Sequence, residues 1–233
     1  MIVLMGMGQG LVRGGSGPVT ILLDSDASPR VRFGAERLSR ALQDVGYEPD
    51  ILAGQTARSG TLAILVSTAS DPAQDKSAPE GYRLSRKGDG PYRVQGLGDS
   101  GSLYGCLELA GRVLEGRELP AGLNVADGPA FRLRGPCIGM QLTSILPGRG
   151  TYEYPYTPEN FPFFYDKALW AEYLDFLVAN RFNTLYLWNG HPFASLVRLE
   201  EYPYALEVSE EVFQRNVEMY RFLTEEADKR GIW

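Results

Sequence analysis

Residues that can recognise a polar ligand follow directly on an apolar, alternating segment. Leu185-Tyr186-Leu187-Trp188 leads into Asn189 and then into His191, the only histidine of the chain. An aromatic ring complements an apolar surface, while asparagine and neutral imidazole each supply a hydrogen-bond donor and an acceptor. At the end of a strand this combination predicts contact with a hydroxyl-rich ligand such as a sugar. Alternatively, His191 before Pro192 is only a turn residue with a local hydrogen bond.

A long aromatic stretch between residues 143 and 167 is the second candidate. Sugar rings have apolar C–H faces edged with hydroxyls, and tyrosines match both properties. We single out Tyr154 and Tyr156 as candidate substrate-binding residues. The competing interpretation is that the rings form a hydrophobic interface with the preceding domain. The stretch carries Tyr152, Tyr154, Tyr156, Phe161, Phe163, Phe164 and Tyr165.

Charged residues give fewer indications. Arg134, near the start of an apolar segment, can hold hydroxyls or a carboxylate with its planar guanidinium, or form a salt bridge at the bottom of a barrel. The pairs Glu200-Glu201 and Glu210-Glu211 lie in a loop and at a helix start, where solvation and the helix dipole explain them. No catalytic acid pair can therefore be assigned.

The sequence GLGDSG at 96–101 fits the dinucleotide-binding pattern GxGxxG. The preceding strand belongs to a hairpin, however, and no strand with a terminal acidic residue is predicted after the following helix. Glycine is also abundant, with 27 residues, so that an accidental match is easily obtained. A nucleotide-dependent enzyme is therefore the weakest of the functional hypotheses.

The elements that would position these residues fall into two groups. Residues 18–127 read as strand, helix, strand, hairpin and helix, which predicts a mixed sheet with packed helices. The stretch 115–129 lacks apolar periodicity and is interpreted as a connection, and Asp99 or Ser100 as the N-cap of the second helix. Residues 1–17 are expected to be a flexible leader.

From residue 128 the pattern is strand, helix, strand, helix and the start of another strand. Phe213, Val217, Tyr220 and Leu223 are the predicted buried face of the last helix. Alternating units of this kind predict parallel strands with right-handed crossovers. A closed (β/α)8 TIM barrel needs about 250 residues, so 128–233 is expected to be its truncated first part. The fold class is thus α/β: a small mixed-sheet α+β accessory domain followed by the first βα units of an incomplete barrel.

Composition excludes several classes of function. The net charge of −6 offers no general attraction for nucleic acid. Two distant cysteines give neither a disulfide framework nor a zinc site, and we expect no metal and no cofactor. No signal peptide or membrane span is recognised, so a cytoplasmic location without membrane partners is the default expectation.

Several segments resemble glycoside hydrolases. GAERLSRAL (34–42) and GYRLSRKGDGPYRVQGLGDSGSLYGCLELA (81–110) are similar to the accessory domain that precedes the barrel in β-N-acetylhexosaminidases and α-glucuronidases. FRLRGPCIGM (131–140), FLVANRFNTLYLW (176–188) and VRLEEYPYAL (197–206) resemble the first two barrel units of the same superfamily. After the second strand, hexosaminidases carry an acidic pair and a glutamine, whereas this chain reads NGHPFASL.

The resemblance implies a function for the longer parent protein. Arg134 matches the arginine that holds sugar hydroxyls, and Trp188, Asn189 and His191 occupy the polar end of the second strand. Catalytic acids are expected beyond Trp233, acting through an oxocarbenium-like transition state on a hexosaminide or uronide. The chain alone is expected to be inactive and to self-associate through exposed barrel edges. A noncatalytic carbohydrate-binding or scaffold module is the alternative.

Overall fold

The computed structural model describes residues 16–69, 80–148, 150–189 and 192–233. Contacts divide the chain into two compact units that meet between Gly128 and Pro129. Most of the predicted leader lies outside the described residues. No helix within them is long and apolar enough to cross a membrane.

The first unit is a mixed α/β layer structure, as the sequence predicts. The elements are β1 (Gly17–Leu23), α1 (Pro29–Asp44), β2 (Tyr47–Ala53), β3 (Leu62–Thr68), β4 (Tyr82–Arg86), β5 (Tyr92–Gly96), α2 (Asp99–Gly116) and β6 (Leu123–Asp127). The sheet order is β2-β1-β3-β5-β4-β6, with β1, β2, β3 and β5 parallel and with β4 antiparallel to both β5 and β6.

Both helices pack on one face of this sheet and on each other. Ser28 caps α1 by accepting a hydrogen bond from the Val31 amide, with Pro29 opening the helix. The helices approach closely where a Cβ on Gly34 would lie 3.0 Å from Leu103 Cα. Alternation along β4 and β5 sends Tyr82, Leu84, Tyr92 and Val94 into this core.

Three expectations for the first unit were wrong. Residues 115–129, which were interpreted as a connection, contain the edge strand β6. Only Leu123 of this strand is buried, so its apolar pattern is too weak to recognise. Strand β2 was not predicted. It carries Pro49, which an edge strand tolerates because one side of its backbone needs no partner. The N-cap of α2 is Gly98, without a side-chain hydrogen bond, and Asp99 is the first helical residue.

The glycines of GLGDSG have a packing role. A Cβ on Gly96 would lie 2.0 Å from the Ser102 nitrogen, and one on Gly101 would lie 2.2 Å from the Gly81 oxygen. Asp127 does end a strand after α2, contrary to the sequence-based argument. That strand pairs antiparallel with β4 at the sheet edge, however, so it is not the parallel neighbour of a dinucleotide fold.

The second unit begins with strands that pair in parallel. The elements are β7 (Cys137–Gly139), β8 (Thr143–Leu146), β9 (Gly150–Glu153), α3 (Lys167–Ala179), β10 (Tyr186–Trp188) and α4 (Glu210–Lys229). Tyr186, Leu187 and Trp188 of β10 lie opposite Cys137, Ile138 and Gly139 of β7. The parallel strands β7 and β10 have three residues each, and the aromatic stretch contains the antiparallel hairpin β8–β9.

Trp233 adds a third chain segment to the parallel pair. Its amide donates to the Asn183 oxygen at 2.9 Å, and its carbonyl accepts from the Leu185 amide at 2.8 Å. This alternation is that of a parallel ladder. Parallel pairing agrees with the prediction of strand-helix-strand crossovers, while the start of a TIM barrel remains a proposal.

Helices α3 and α4 cover one side of these strands. Trp170 and Leu174 of α3 are buried. On α4 the most buried stripe is Asn216, Met219 and Leu223. The buried face of α4 is therefore rotated about the helix axis relative to the predicted face, because Phe213, Val217 and Tyr220 are only partly buried.

Arg230 ties the ends of the two helices together. Its guanidinium contacts Asp175 Oδ1 and Glu226 Oε2, each at 2.7 Å. Partial burial works against ionisation of Glu226, but hydrogen bonds from Lys229 and Arg230 outweigh it and hold the pKa of this carboxyl below its ordinary value. Glu226 therefore stabilises the unit in its charged form.

Candidate functional site

The carboxyl ends of β7 and β10 form one edge of the second unit. Because the strands are parallel, Met140 and Asn189, which follow them, meet at this edge. The Met140 amide donates to the Trp188 carbonyl at 2.9 Å. We call this region the carboxyl edge, and define it by Met140, Trp188 and Asn189.

Trp188 is accessible at the carboxyl edge. Ile138 and Leu187 turn toward the helices and contact the core, whereas Cys137, Gly139, Tyr186 and Trp188 expose the opposite face of the strands. Trp188 is 50% exposed. A half-exposed indole beside a polar side chain can stack on the apolar face of a ring-shaped ligand.

Tyr156 supports the carboxyl edge from the core. It is buried, and its hydroxyl donates to the Met140 carbonyl at 3.0 Å. The same hydroxyl interacts with the side chains of Tyr220 and Asn189. Burial, reinforced by Tyr220, raises the pKa of Tyr156 far above its ordinary range, so the phenol stays protonated and retains its donor. In this structure Tyr156 therefore supports Asn189 instead of lining the exposed face.

Asn216 connects the two loops that follow β7 and β10. Its side-chain amide donates to the carbonyls of Tyr156 and Ser195, at 3.1 and 3.0 Å. Its oxygen accepts from the Tyr165 hydroxyl at 2.5 Å. The Ser195 hydroxyl in turn accepts from the Tyr156 amide at 2.9 Å. This buried cluster, which we call the Asn216 cluster, fixes both loops to α4.

The sequence did not identify Asn216 as an important residue. Its spacing of three and seven residues from Met219 and Leu223 places it on the apolar stripe of α4. A polar residue in such a stripe must find hydrogen-bond partners in the core. That conflict between polarity and position was the available signal.

A cleft of about 450 Å³ lies beside the carboxyl edge. Asn189 and Tyr220 supply its polar groups, and Leu196, Val197 and Val217 supply apolar ones. Its mixed lining is typical of small-molecule sites, in which a few polar groups orient an otherwise apolar contact.

Tyr154 lies on the neighbouring hairpin. It is partly buried, makes an edge-to-face contact with Tyr152 at a centroid distance of 5.0 Å, and its hydroxyl accepts from Ser144 Oγ at 3.2 Å. The Tyr152 hydroxyl donates to Glu207, which links the hairpin to the loop after β10. The hairpin is thus held beside the second loop.

Arg134 is not brought together with these residues. It lies before β7, at the amino end of the strand pair, where its guanidinium donates to the carbonyls of Arg181 and Phe131 at 2.7 and 2.5 Å. The Asn183 side chain reinforces the same region by accepting from the Arg134 amide at 2.9 Å. His191 lies outside the described residues, so its predicted role stays a prediction.

Comparison with solved structures identifies glycoside hydrolases as structural neighbours. A GH138 enzyme targeting pectin rhamnogalacturonan II shares 46% identity and a TM-score of 0.82, over 92% of this chain and 30% of its own. A family GH115 4-O-methyl-alpha-glucuronidase with specificity for decorated arabinogalactans shares 20% identity and a TM-score of 0.57, over 95% of this chain and 29% of its own. For Flavobacterium johnsoniae chitobiase the values are 16%, 0.52, 95% and 31%.

These neighbours confirm the resemblance to glycoside hydrolases that the sequence indicated. The chain spans less than a third of each of the three proteins. The two more distant similarities establish the fold alone. No family profile and no curated protein sequence matches the chain.

Proposed function

We propose that this chain is the amino-terminal part of a glycoside hydrolase that cleaves a uronic-acid-containing polysaccharide of the pectin class. The observation that carries the proposal is the 46% identity, over 92% of the chain, to an enzyme targeting pectin rhamnogalacturonan II. The glucuronidase neighbour also acts on a uronide, but at 20% identity it supports only the fold. The hexosaminide alternative rests on a likeness of 16% to a chitobiase and is weaker for that reason.

In this proposal the carboxyl edge contributes to sugar binding. Trp188 stacks on a sugar face, and Asn189, held by the Tyr156 hydroxyl, hydrogen-bonds ring hydroxyls. Tyr154 extends the polar contacts from the neighbouring hairpin, and His191 keeps its predicted role as a sugar-binding residue. Tyr156 acts as a positioning residue, and Arg134 stabilises the opposite end of the strands. In (β/α)8 barrels the carboxyl ends of the strands are the end at which substrates bind.

The reaction itself requires groups from elsewhere in the parent protein. Glycoside hydrolysis uses two carboxyl groups on either side of the scissile bond, one as acid and one as base or nucleophile. We expect both to come from further barrel strands, so the 233 residues bind sugar without hydrolysing it. No cofactor is needed for this chemistry.

Binding of pectic fragments to the full chain tests the proposal. All three tryptophans, Trp170, Trp188 and Trp233, lie in the second unit, so indole fluorescence reports on that unit. Oligosaccharides released from rhamnogalacturonan II are expected to change the emission and to show saturable binding. Trp188→Ala should abolish the emission change and the binding that this emission reports.

Trp233→Ala is the matched control, because Trp233 is also exposed, at 77%, but its backbone pairs with Asn183 and Leu185 near the amino end of β10. It should bind as the unmodified chain does. Chitooligosaccharides serve as the hexosaminide comparison. Stronger binding of these than of pectic fragments, or an absence of any fluorescence response, would overturn the proposal.

A further inference from the structure

The sheet face opposite α1 and α2 carries a polar patch on the three strands β3, β5 and β4. Alternation places Arg83 and Ser85 of β4 on this face, while Tyr82 and Leu84 enter the core. Arg93 and Gln95 of β5 follow the same rule. Register sets Arg83 opposite Gln95 and Ser85 opposite Arg93.

These side chains enclose a small cavity. Its volume is about 150 Å³, and Ser67 and Leu65 of β3 complete a lining formed by Arg83, Ser85, Arg93 and Gln95. None of these described lining residues is acidic. The cavity therefore combines two positive charges, two hydroxyls and an amide.

The two arginines are diagonal neighbours of like charge. On one face of an antiparallel pair such neighbours lie about 7–8 Å apart, within reach of each other's long side chains. Within the described residues, neither guanidinium forms an ion pair. Other arginines of the chain do pair: Arg58 with Asp50, and Arg112 with Glu108. Two uncompensated guanidinium groups beside one cavity are well suited to an anion.

We propose that this patch, formed by Arg83, Arg93, Ser67, Ser85 and Gln95, binds the carboxylates of a uronic-acid polysaccharide as a site separate from the carboxyl edge. Guanidinium groups bind carboxylates through parallel hydrogen bonds, and the hydroxyls and the amide bind the neighbouring sugar hydroxyls. The choice of a saccharide carboxylate over other anions rests on the proposed function. Arg83, Arg93 and Gln95 are exposed, so an extended saccharide can reach the patch.

Isothermal titration calorimetry of the full chain with trigalacturonate tests this inference. Arg83→Gln and Arg93→Gln are each expected to weaken binding at this site by about 3- to 10-fold, the range for one charge-assisted contact at an exposed position. The double variant should lose the site. Raising the salt concentration should weaken binding in the unmodified chain, because screening acts on exposed charges.

Arg40→Gln is the matched control. Arg40 is an exposed arginine of the same unit, located on α1 in the helical layer, and its replacement makes the same change in net charge. It should leave the affinity unchanged. Fully methyl-esterified trigalacturonate, of equal length but without charge, should not bind to the patch. Equal affinity for the ester, or an equal loss in Arg40→Gln, would refute the inference.

The two proposals fail in different ways. The patch belongs to the first unit and the three indole rings to the second. Trp188→Ala therefore removes no group of the patch and should leave its calorimetric signal in place. If the unmodified chain shows no fluorescence response but its calorimetric binding still depends on the arginines, only the carboxyl-edge proposal is contradicted. Unchanged affinity in the double arginine variant contradicts only the patch.

Discussion

Replacement of Asn216 by alanine should strongly destabilise the second unit. Asn216 is 0% exposed and forms three hydrogen bonds with groups more than 20 residues away in sequence, two donated to backbone carbonyls and one accepted from a hydroxyl. Alanine leaves the carbonyls of Tyr156 and Ser195 without this donor and the Tyr165 hydroxyl without this acceptor. Water has no direct access to replace the missing amide.

The expected cost follows from the number of bonds. Each intramolecular hydrogen bond contributes about 0.5–1.5 kcal/mol net, and each buried group left without a partner costs about 1–3 kcal/mol. For three bonds we expect a loss of about 2–4 kcal/mol in the free energy of unfolding. In a unit of this size each kcal/mol lowers Tm by about 4–8 °C, so the transition should shift by roughly 8–32 °C.

Asn216→Asp separates hydrogen bonding from volume. The aspartate has nearly the same size and still accepts from Tyr165, but it presents an anion to two carbonyl oxygens. Burying a charge against acceptors is unfavourable. We therefore expect Asn216→Asp to destabilise the unit at neutral pH at least as much as Asn216→Ala does.

Urea unfolding followed by tryptophan fluorescence measures the effect in the relevant unit, since all the tryptophans lie there. Asn180→Ala is the control, because the Asn180 amide also donates to a carbonyl, that of Phe176 at 2.8 Å, but at an exposed position. Its cost should stay within about 0.5 kcal/mol. A comparable cost for Asn180→Ala and Asn216→Ala would refute the assignment of the Asn216 cluster as a structural hub.

Three further predictions concern packing, thiol chemistry and pH. Gly101→Ala should destabilise the first unit by about 1–3 kcal/mol because the new Cβ overlaps the backbone of Gly81. Gly111→Ala has no atom within 4 Å of the new Cβ and should stabilise α2 by up to about 1 kcal/mol. Circular dichroism during urea unfolding distinguishes the two variants. A thiol reagent at mildly alkaline pH should label exposed Cys137 readily, and buried Cys106 only on unfolding, because burial raises the pKa of its thiol to about 12; equal labelling rates would contradict this. Glu226→Gln should reduce the acid sensitivity of the second unit. Because the pKa of Glu226 is lowered in the folded state, its carboxylate stabilises the unit at pH values above the ordinary carboxyl pKa. This stabilisation is lost as the pH falls through the pKa of the folded state. Unchanged steepness of unfolding free energy against pH in acid would show that Glu226 has no such role.

Local patterns predicted most of the regular structure. The hairpin β4–β5 and the helices α1 to α4 were recognised because turn residues and apolar spacing lie within a few residues of each other. Strands β2, β6, β8 and β9 were missed. Their apolar alternation is weak. Strands β2 and β6 pair with strands that a local window does not contain, whereas β8 and β9 pair with each other.

The candidate site was predicted only in part. The positions of Trp188 and Asn189 at a strand end followed from the apolar run before them. The roles of Tyr156 and Arg134 did not, because a tyrosine in an aromatic stretch can line a surface or fill a core, and an arginine before a strand can bind a ligand or its own backbone. Contacts of Tyr156 with Met140 and of Arg134 with Arg181 decided between these alternatives.

The sequence by itself determined the helices α1 to α4, the hairpin β4–β5, the buried strands β1 and β3 and the likeness to glycoside hydrolases. Tertiary structure alone decided which polar groups are buried together and which face of each sheet stays open. The physical reason is the range of the interactions: periodicity and capping act over three or four residues, whereas Asn216 meets Tyr156 across 60 positions of the chain. The arginine patch likewise exists only because the register of β4 and β5 sets its residues side by side.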